Sequence, residues 1–185
     1  MSDKALNGIR VLMIIAPEDF RDEELLEPKQ LLTEAGAKVT VASTRPGEAK
    51  GMLGATVIPD VTTDSQKASD YHAIVVVGGM GSPAHLWSNG QVHKLLHETH
   101  AAGRIVGGIC LSGAVLANAG VLKGKKATVW ATDESLAALS AGGAQYKEEH
   151  VVHDGNVVTA DGPEAAQEFG NTLVRALQQL AVAKK

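Results

Sequence analysis

The chain has 185 residues, a formal net charge of −4, 44% hydrophobic residues and 21% charged residues. This length and composition are typical of a single globular domain, which we place at residues 1–185. The acidic balance and the lack of a basic patch argue against nucleic acid or a membrane surface as a partner. An aromatic content of 3% also argues against a stacking platform for single-stranded nucleic acid.

Cysteine usage and the N-terminal stretch bear on the compartment. Cys110 is the only cysteine, so no disulfide can form within the chain. Residues 1–7 are polar and contain no apolar signal-peptide core, and no apolar run reaches membrane-spanning length. An unpaired cysteine without an export signal predicts a cytoplasmic protein.

Apolar runs and helical repeats alternate along the chain. Strands are predicted at residues 9–16, 38–43, 73–77, 104–109, 126–130 and 157–160, with extended segments at 145–147 and 151–153. Helices are predicted at 25–35, at 91–102, from about Cys110 onward, at 133–140 with Asp133 as the N-cap, and from Pro163 to about Val182. Strands that alternate with helices predict a mainly parallel sheet covered on both faces.

Two segments carry further expectations. Residues 17–24 form an acidic stretch that is interpreted as a loop, and Pro28 is expected to bend the following helix unless it lies in the first turn. The segment 44–69 is rich in Gly, Pro and polar residues, with a hairpin expected around residues 51–58.

Three loops are expected to meet at one edge of this sheet. They are residues 16–24, 78–83 and 108–112, and each follows a predicted strand. In parallel sheets, binding and catalytic sites gather at the carboxyl ends of the strands, where the strand order switches. The sequence therefore predicts a site formed by these loops.

Cys110 lies in the third of these loops, where a strand gives way to a helix. Unpaired backbone N–H groups and the helix dipole at such a turn favour the thiolate, which predicts a pKa below the ordinary value of about 8.5. The Gly-x-Cys-x-Ser-Gly stretch is also similar to the elbow that presents nucleophiles in α/β enzymes. The alternative is a small buried residue that packs the strand against the helix.

The chain resembles the ThiJ/PfpI superfamily over nearly its whole length. The resemblance rests on the order and spacing of four stretches, which are residues 20–28, residues 75–79, residues 108–113 with 119–128, and residues 152–160. It implies an α/β fold, a flavodoxin-like three-layer sandwich with a mainly parallel central sheet. It also implies a homodimer that acts on a small-molecule substrate without a cofactor or metal.

The same resemblance implies a carboxyl group beside the cysteine. The family's elbow cysteine is often hydrogen-bonded to a protonated glutamate of the first loop, and Glu24 is the best match to that residue. Asp22 and Asp19 are second choices, because a slip of one turn is easy in an acidic loop. Alternatively, Asp22, Glu23 and Glu24 are simply a charged first helical turn.

Backbone N–H groups are expected to complete the site. Gly79 matches the family glycine whose N–H faces the cysteine, and with the N–H of Leu111 it would form an oxyanion hole or hold an oxidised sulfur. A tight turn that needs positive φ also explains Gly79.

The chain departs from the family pattern where a base or an acid would stand. Leu111 replaces the histidine that follows the cysteine in the protease-like branch, and Ala84 replaces that branch's acid. Trp130 replaces the histidine of the glyoxalase-like branch, and an indole, which is a hydrogen-bond donor only, cannot shuttle a proton. Peptide hydrolysis is therefore not expected, and Trp130 is interpreted as an apolar wall or as dimer packing.

Several histidines are alternative bases or ligands. His85 follows the glycine loop and is an accessory candidate that would approach Cys110 from either subunit. His150 and His153 would act as a base if the last hairpin reached the neighbouring subunit's site, although an edge or core position is favoured. His93, His97 and His100 share a helical face and have metal-ligand spacing, but a solvated face is the favoured interpretation and no metal is predicted.

Two functions follow from these residues. The first is a cofactor-independent enzyme in which Cys110 attacks a reactive carbonyl such as a 2-oxoaldehyde and Glu24 moves the proton, in the manner of a glyoxalase or deglycase; isonitrile hydration is a neighbouring option. The second is a redox-responsive stress or chaperone-like protein in which Cys110 is oxidised to a sulfinate.

Overall fold

The computed structural model describes residues 4–183, in which strands and helices alternate as the sequence predicts. The strands are β1 (Arg10–Ile15), β2 (Glu18–Phe20), β3 (Lys38–Ser43), β4 (Ala49–Gly51), β5 (Thr56–Val57), β6 (Val61–Thr62), β7 (Ala73–Val76), β8 (Ile105–Ile109), β9 (Lys126–Ala127), β10 (Gln145–Tyr146), β11 (Val151–Asp154) and β12 (Val157–Ala160). The α-helices are α1 (Asp22–Glu34), α2 (Gly81–His85), α3 (Gly90–Ala101), α4 (Gly113–Asn118), α5 (Asp133–Ala141) and α6 (Ala166–Ala183). Short 3₁₀ turns occupy Thr63–Ser65, Ala68–Asp70, Cys110–Ser112 and Pro163–Ala165.

Seven strands form the central sheet, in the order β11-β12-β8-β7-β1-β3-β6. All neighbouring pairs are parallel except β11 with β12, which form an antiparallel hairpin at one edge. The strand order reverses between β1 and β7, so the loops after these two strands and after β8 open at a switch point. This topology confirms the flavodoxin-like α/β fold with a mainly parallel sheet.

Both faces of the sheet are covered, which explains why the central strands are apolar along their whole length. Successive side chains of β1 alternate between the two layers: Met13 and Ile15 pack in the core under α1 and α6, whereas Leu12 and Ile14 pack in the core under α3, α4 and α5. This alternation follows from the two-residue period of a strand. The two cores make the sheet a rigid platform for the loops at its carboxyl edge.

The structure corrects several predicted boundaries. Helix α1 begins at Asp22, so the acidic stretch is partly helical, and Pro28 lies inside the helix beyond its first turn. Strand β2 and helix α2 occupy segments predicted as loop. The N-cap of α5 is Thr132, which forms a capping box with Ser135, and the predicted cap Asp133 is the first helical residue.

Other local predictions are confirmed with small shifts. The hairpin expected around residues 51–58 is formed by β4 and β5. The strand predicted at 126–130 is limited to β9, which pairs in parallel with β10. Pro163 begins a 3₁₀ turn, and α6 follows it. The N-terminal prediction for residues 1–7 lies partly outside the described residues. Within residues 4–183, no helix combines the length and apolar character needed to cross a membrane.

Candidate active site

Cys110 occupies a strained turn between β8 and α4. Its φ is 59°, in the left-handed region that a non-glycine residue rarely adopts. The 3₁₀ turn Cys110–Ser112 follows at once and leads into α4, so the side chain projects from the end of a central strand. The residue is only 7% exposed. This is the elbow that the sequence predicts, and its strain is typical of a functional position.

Glu24 is brought to this thiol by the first turn of α1. The residue is 0% exposed, and its Oε2 accepts a hydrogen bond from the N–H of Gly78 at 2.9 Å. The carboxyl group and the thiol interact directly. Oε1 of Glu24 is buried without a hydrogen-bond partner among the described residues. A buried carboxyl with one unpaired oxygen is costly unless it carries a proton.

Gly78 makes the approach of these two groups sterically feasible. A Cβ at this position would lie 2.6 Å from Cβ of Cys110 and 2.6 Å from Oε2 of Glu24. Gly79 has a φ of 108°, and a Cβ there would lie 2.5 Å from the N of Arg21. The double glycine thus lets the loop after β1 pack directly against the elbow.

Burial dominates the titration of both groups. It raises the pKa of Glu24 from 4.5 to about 8, although the Cys110 and Gly78 hydrogen-bonding contacts and the charge of Arg21 oppose this. Burial also raises the pKa of the Cys110 thiol, and a charge on Glu24 raises it further, while the N–H groups of Leu111 and Gly79 lower it. This direction is opposite to the lowered thiol pKa expected from the sequence, because the elbow faces a buried carboxyl and lies out of solvent.

The two predicted N–H groups, those of Gly79 and Leu111, lie near the sulfur and lower the pKa of the thiol. The loops that carry them are fixed by two buried hydroxyl groups. Ser112 Oγ donates a hydrogen bond to the carbonyl of Val77 at 2.7 Å. Because its only proton is used there, Ser112 Oγ accepts the hydrogen bond that Ser82 Oγ donates at 2.7 Å. The indole N–H of Trp87 also donates to the Leu111 carbonyl at 2.8 Å. These bonds hold the N–H pair in place, as an oxyanion hole requires.

The two alternative acids lie elsewhere. Asp22 is buried, but its carboxylate accepts hydrogen bonds from the N–H groups of Leu53 at 2.9 Å and Ala55 at 2.8 Å, so it fixes the β4–β5 hairpin. Asp19 is exposed and has a φ of 55°. Of the three predicted acids, the structure brings Glu24 alone to Cys110. Asp22 and Asp19 are therefore not the acid beside the cysteine. Helix α1 begins early enough to direct Asp22 toward the hairpin, and Asp19 is exposed.

Cys110 opens onto a hollow of about 130 Å³. Its walls are Arg21, Met52, Gly79, Met80, Leu111, Trp130 and Pro163. Because a water molecule occupies about 30 Å³ in the liquid, this space suits a ligand of only a few non-hydrogen atoms. The small, mostly apolar space fits a small substrate and does not fit a folded polypeptide.

Trp130 forms one wall of the hollow, as the apolar interpretation predicted. Its backbone N–H donates to the Cys110 carbonyl at 3.2 Å, and its ring covers Gly162, where a Cβ would lie 2.8 Å from the ring. The side chain is half exposed. His85 is not on this wall: it ends α2, where its charge acts on Glu18. Within one chain, His85 therefore does not reach the hollow, and its approach from a neighbouring subunit stays a prediction.

A larger cleft of about 700 Å³ adjoins the hollow and shares Arg21, Trp130 and Pro163 with it. Most of its remaining lining is polar: Glu23, Glu27, His150, Asp161, Gly162, Glu164 and Gln167. The Arg21 guanidinium forms a two-bond ion pair with Glu23, at 2.8 Å and 3.1 Å, and its charge also acts on Glu24 and Cys110. No pattern in the sequence pointed to a role for Arg21.

The remaining histidines do not form a metal centre. His93 Nε2 contacts the Trp87 carbonyl at 2.8 Å, and His153 Nε2 contacts the Gly155 carbonyl at 2.9 Å. Across residues 4–183, no three His, Cys, Asp or Glu side chains come together as ligands would. His150 is different, because it lines the cleft and its Nδ1 lies 2.9 Å from Oδ2 of Asp161.

A strained cysteine elbow at the end of a parallel strand, beside a buried carboxyl, is similar to the turn that presents the nucleophile in α/β enzymes. The family model described as the DJ-1/PfpI family matches residues 9–176, and the chain belongs to that family.

Relatives and solved structures agree with this placement. The chain is 45% identical to an uncharacterized protein, MJ0967, of Methanocaldococcus jannaschii, over 94% of this chain and 85% of that protein. It is 30% identical to deglycase PfpI of Pyrococcus furiosus (82% and 90%) and 26% identical to the glutathione-independent glyoxalase DJR-1.2 of Caenorhabditis elegans (90% and 88%). The crystal structure of a ThiJ/PfpI domain protein from Brachyspira murdochii superposes with a TM-score of 0.86 at 34% identity, over 92% and 96% of the two chains.

Proposed function

We propose that the protein is a cofactor-independent enzyme that converts small reactive carbonyl compounds, 2-oxoaldehydes foremost, with Cys110 as the nucleophile. The observation that carries this proposal is the contact between the Cys110 thiol and the buried Glu24 carboxyl, below a hollow of about 130 Å³. Relatives named deglycase and glyoxalase support the same class of substrate.

Glu24 has the pKa of an effective general base. With a pKa of about 8, roughly one-tenth of the carboxyl is ionised at pH 7, and the rest is available as an acid. The carboxylate takes the proton of the Cys110 thiol while the sulfur forms a bond to the aldehyde carbon. The raised thiol pKa is therefore compatible with catalysis, because the proton leaves only as the new bond forms.

The oxygen of the aldehyde gains negative charge in this step. The N–H groups of Gly79 and Leu111, which lie near the sulfur, would stabilise this charge as an oxyanion hole. Glu24 then returns the proton to that oxygen, which completes the addition of S–H across the carbonyl and gives a hemithioacetal. Atoms and charge balance within the pair.

An isomerisation follows. Glu24 removes the proton from the carbon bonded to sulfur and returns it to the neighbouring carbonyl carbon, while one O–H proton shifts to the former ketone oxygen. The product is a thioester of a 2-hydroxy acid on Cys110. Water then hydrolyses the thioester, which releases the hydroxy acid and restores the thiol.

Peptide hydrolysis is a poor alternative for this site. Leu111 follows the cysteine, Ala84 stands at the position of the protease-like acid, and His85 lies away from the hollow. Hydrolysis of an amide by the protease-like triad needs a histidine beside the cysteine and an acid that orients it, and neither of these positions carries such a residue.

The test is the conversion of methylglyoxal to lactate, followed by proton NMR. We expect steady turnover by the wild type, none by Cys110→Ala, and a loss of about 10² or more in Glu24→Gln. Asp22→Asn is the matched control, since it neutralises a neighbouring acid that faces away from the sulfur. The absence of turnover in the wild type, or undiminished turnover in Cys110→Ala, contradicts the proposal.

A second candidate uses the same geometry without turnover. Each of two peroxide molecules would transfer one oxygen to the sulfur and leave as water, which gives a sulfinate that the Gly79 and Leu111 N–H groups and a protonated Glu24 would bind. The specific observation in its favour is the convergence of these three groups on one sulfur. Mass spectrometry distinguishes the two: two added oxygens on Cys110 and no methylglyoxal turnover indicate the redox protein.

A further inference from the structure

We infer that His150, held by Asp161, is the general base that activates water for hydrolysis of the acyl group on Cys110. This inference rests on the proposed enzymatic function and assigns the step that Glu24 cannot perform. The pair lies outside the stretches at which the family's bases would stand, since those positions hold Leu111 and Trp130.

Water can reach an acyl group on Cys110 from one side only. Glu24 is completely buried, and Gly78 closes the space beside it. The hollow is open on the side of Arg21, Trp130 and Pro163, the three residues that it shares with the larger cleft. Water that attacks an acyl group on Cys110 therefore comes from the cleft, and the base that activates it must face that cleft.

The two ring nitrogens of His150 have the bonding that a general base needs. Its Nδ1 lies 2.9 Å from Oδ2 of Asp161, and its Nε2 has no hydrogen bond to any of residues 4–183. A carboxylate on one ring nitrogen fixes the tautomer and leaves the other nitrogen to accept a proton. The backbone supports the pair as well, since the N–H of Asp161 donates to the His150 carbonyl at 3.0 Å.

The other titratable side chains that line the cleft are less suited to act as the general base. Glu23 is held in its ion pair with Arg21, and Asp161 is held by His150. Glu27 and Glu164 line the cleft too, but neither lies in a described pair that would orient it. His150 is the cleft residue that combines an orienting partner, a free nitrogen and 74% side-chain exposure to water.

In the proposed hydrolysis, His150 takes a proton from water and passes it to the leaving sulfur. His150 Nε2 takes a proton from water, and the water oxygen bonds to the thioester carbon. The tetrahedral intermediate then breaks its C–S bond, and the proton on His150 passes to the leaving sulfur. The products are the 2-hydroxy acid and the free Cys110 thiol, and Glu24 remains available for the next addition.

The experiment separates the two halves of the reaction, with methylglyoxal as the probe. We expect His150→Ala to add methylglyoxal to Cys110 but to release lactate at least 10²-fold more slowly than the wild type. The adduct should accumulate on Cys110 in the mass spectrum and should yield a hydroxamate with neutral hydroxylamine, as a thioester does and a hemithioacetal does not. Added imidazole should raise the rate of lactate release by His150→Ala at least tenfold, because the position of the missing side chain is open to the cleft.

His153→Ala is the matched control, since His153 lies on the same hairpin, bonds to the Gly155 carbonyl and does not line the cleft. Asp161→Asn should slow lactate release less than His150→Ala and should accumulate the same thioester. Lactate release by His150→Ala at the wild-type rate, or slowed without a thioester, overturns the inference. If the wild type itself neither turns over methylglyoxal nor forms an adduct, the proposed function fails and takes this inference with it.

Discussion

The thiol of Cys110 and the carboxyl of Glu24 meet beside Gly78, where an added methyl carbon would lie 2.6 Å from atoms of both side chains. Two titratable groups this close share their protons, so ionisation of one raises the pKa of the other. The proposed catalysis depends on this coupling, because the proton that the thiol gives up has an acceptor beside it.

Glu24→Gln should flatten the dependence of stability on pH. The pKa of Glu24 is about 8 in the folded protein, against an ordinary value of 4.5. The folded state thus prefers the neutral acid, and the stabilisation from Glu24 is complete below about pH 4.5 and is lost as the pH rises through 8. At about 1.36 kcal/mol per pKa unit, that loss amounts to at most about 5 kcal/mol.

Urea unfolding of both proteins at about pH 5 and about pH 8 measures this effect. The wild type should lose more stability over this interval than Glu24→Gln, since the amide does not titrate. An equal loss in the two proteins would show that Glu24 is ionised in the fold like an exposed glutamate.

Gly78→Ala should damage both stability and chemistry. The new methyl group would lie 2.6 Å from Cβ of Cys110, Oε2 of Glu24 and the carbonyl of Ile109, so buried groups must move. Overpacking of this kind costs about 1–3 kcal/mol. Gly90→Ala is the control, because a Cβ at Gly90 meets nothing within 4 Å. Thermal melts and methylglyoxal turnover should show losses in the first variant and none in the second.

Cys110→Gly should be more stable than Cys110→Ala by about 1 kcal/mol. Both variants lack the thiol, but only glycine relieves the backbone at a φ of 59°. Chemical denaturation of the two variants gives this difference directly. If the alanine variant is as stable as the glycine variant, the elbow is not strained.

Asp22→Asn should loosen the hairpin without removing the chemistry. Asp22 accepts the N–H groups of Leu53 and Ala55, and hydrogen bonds to a charged acceptor are worth about 1.5–3 kcal/mol each. Amide hydrogen exchange should be faster at these two positions, while turnover per folded molecule should exceed that of Glu24→Gln by at least tenfold. The reverse ranking of turnover would exchange the roles of the two acids.

The fold was predictable because its signals are local. The strands buried on both faces, such as β1 and β7, are continuous apolar runs, and the alternation with helices specifies a parallel sheet. The start of α1 at Asp22 confirms the alternative in which Asp22, Glu23 and Glu24 form a charged first helical turn, which the sequence alone did not separate from a loop. Similarly, Thr132 and Asp133 are both good N-cap types, and the capping box with Ser135 decided between them.

The site was predictable only in part. The position of Cys110 and the choice of Glu24 followed from the resemblance, and the structure places the two in contact. The direction of the thiol pKa did not follow, since it depends on burial by loops distant in sequence. Arg21 and the pairing of His150 with Asp161 were missed as well, and His150 was expected as a base only at a neighbouring subunit's site, because the cleft is formed by segments from opposite ends of the chain.

The proposed mechanism requires that Glu24 carries a proton at pH 7, and infrared difference spectroscopy measures this protonation state directly. The wild-type spectrum minus that of Glu24→Gln isolates this carboxyl as the pH is varied. We expect the band of a protonated carboxyl at pH 7, replaced by that of a carboxylate with a midpoint near 8. A carboxylate band that persists down to about pH 5 would contradict the account, because Glu24 would then hold no proton to exchange with Cys110.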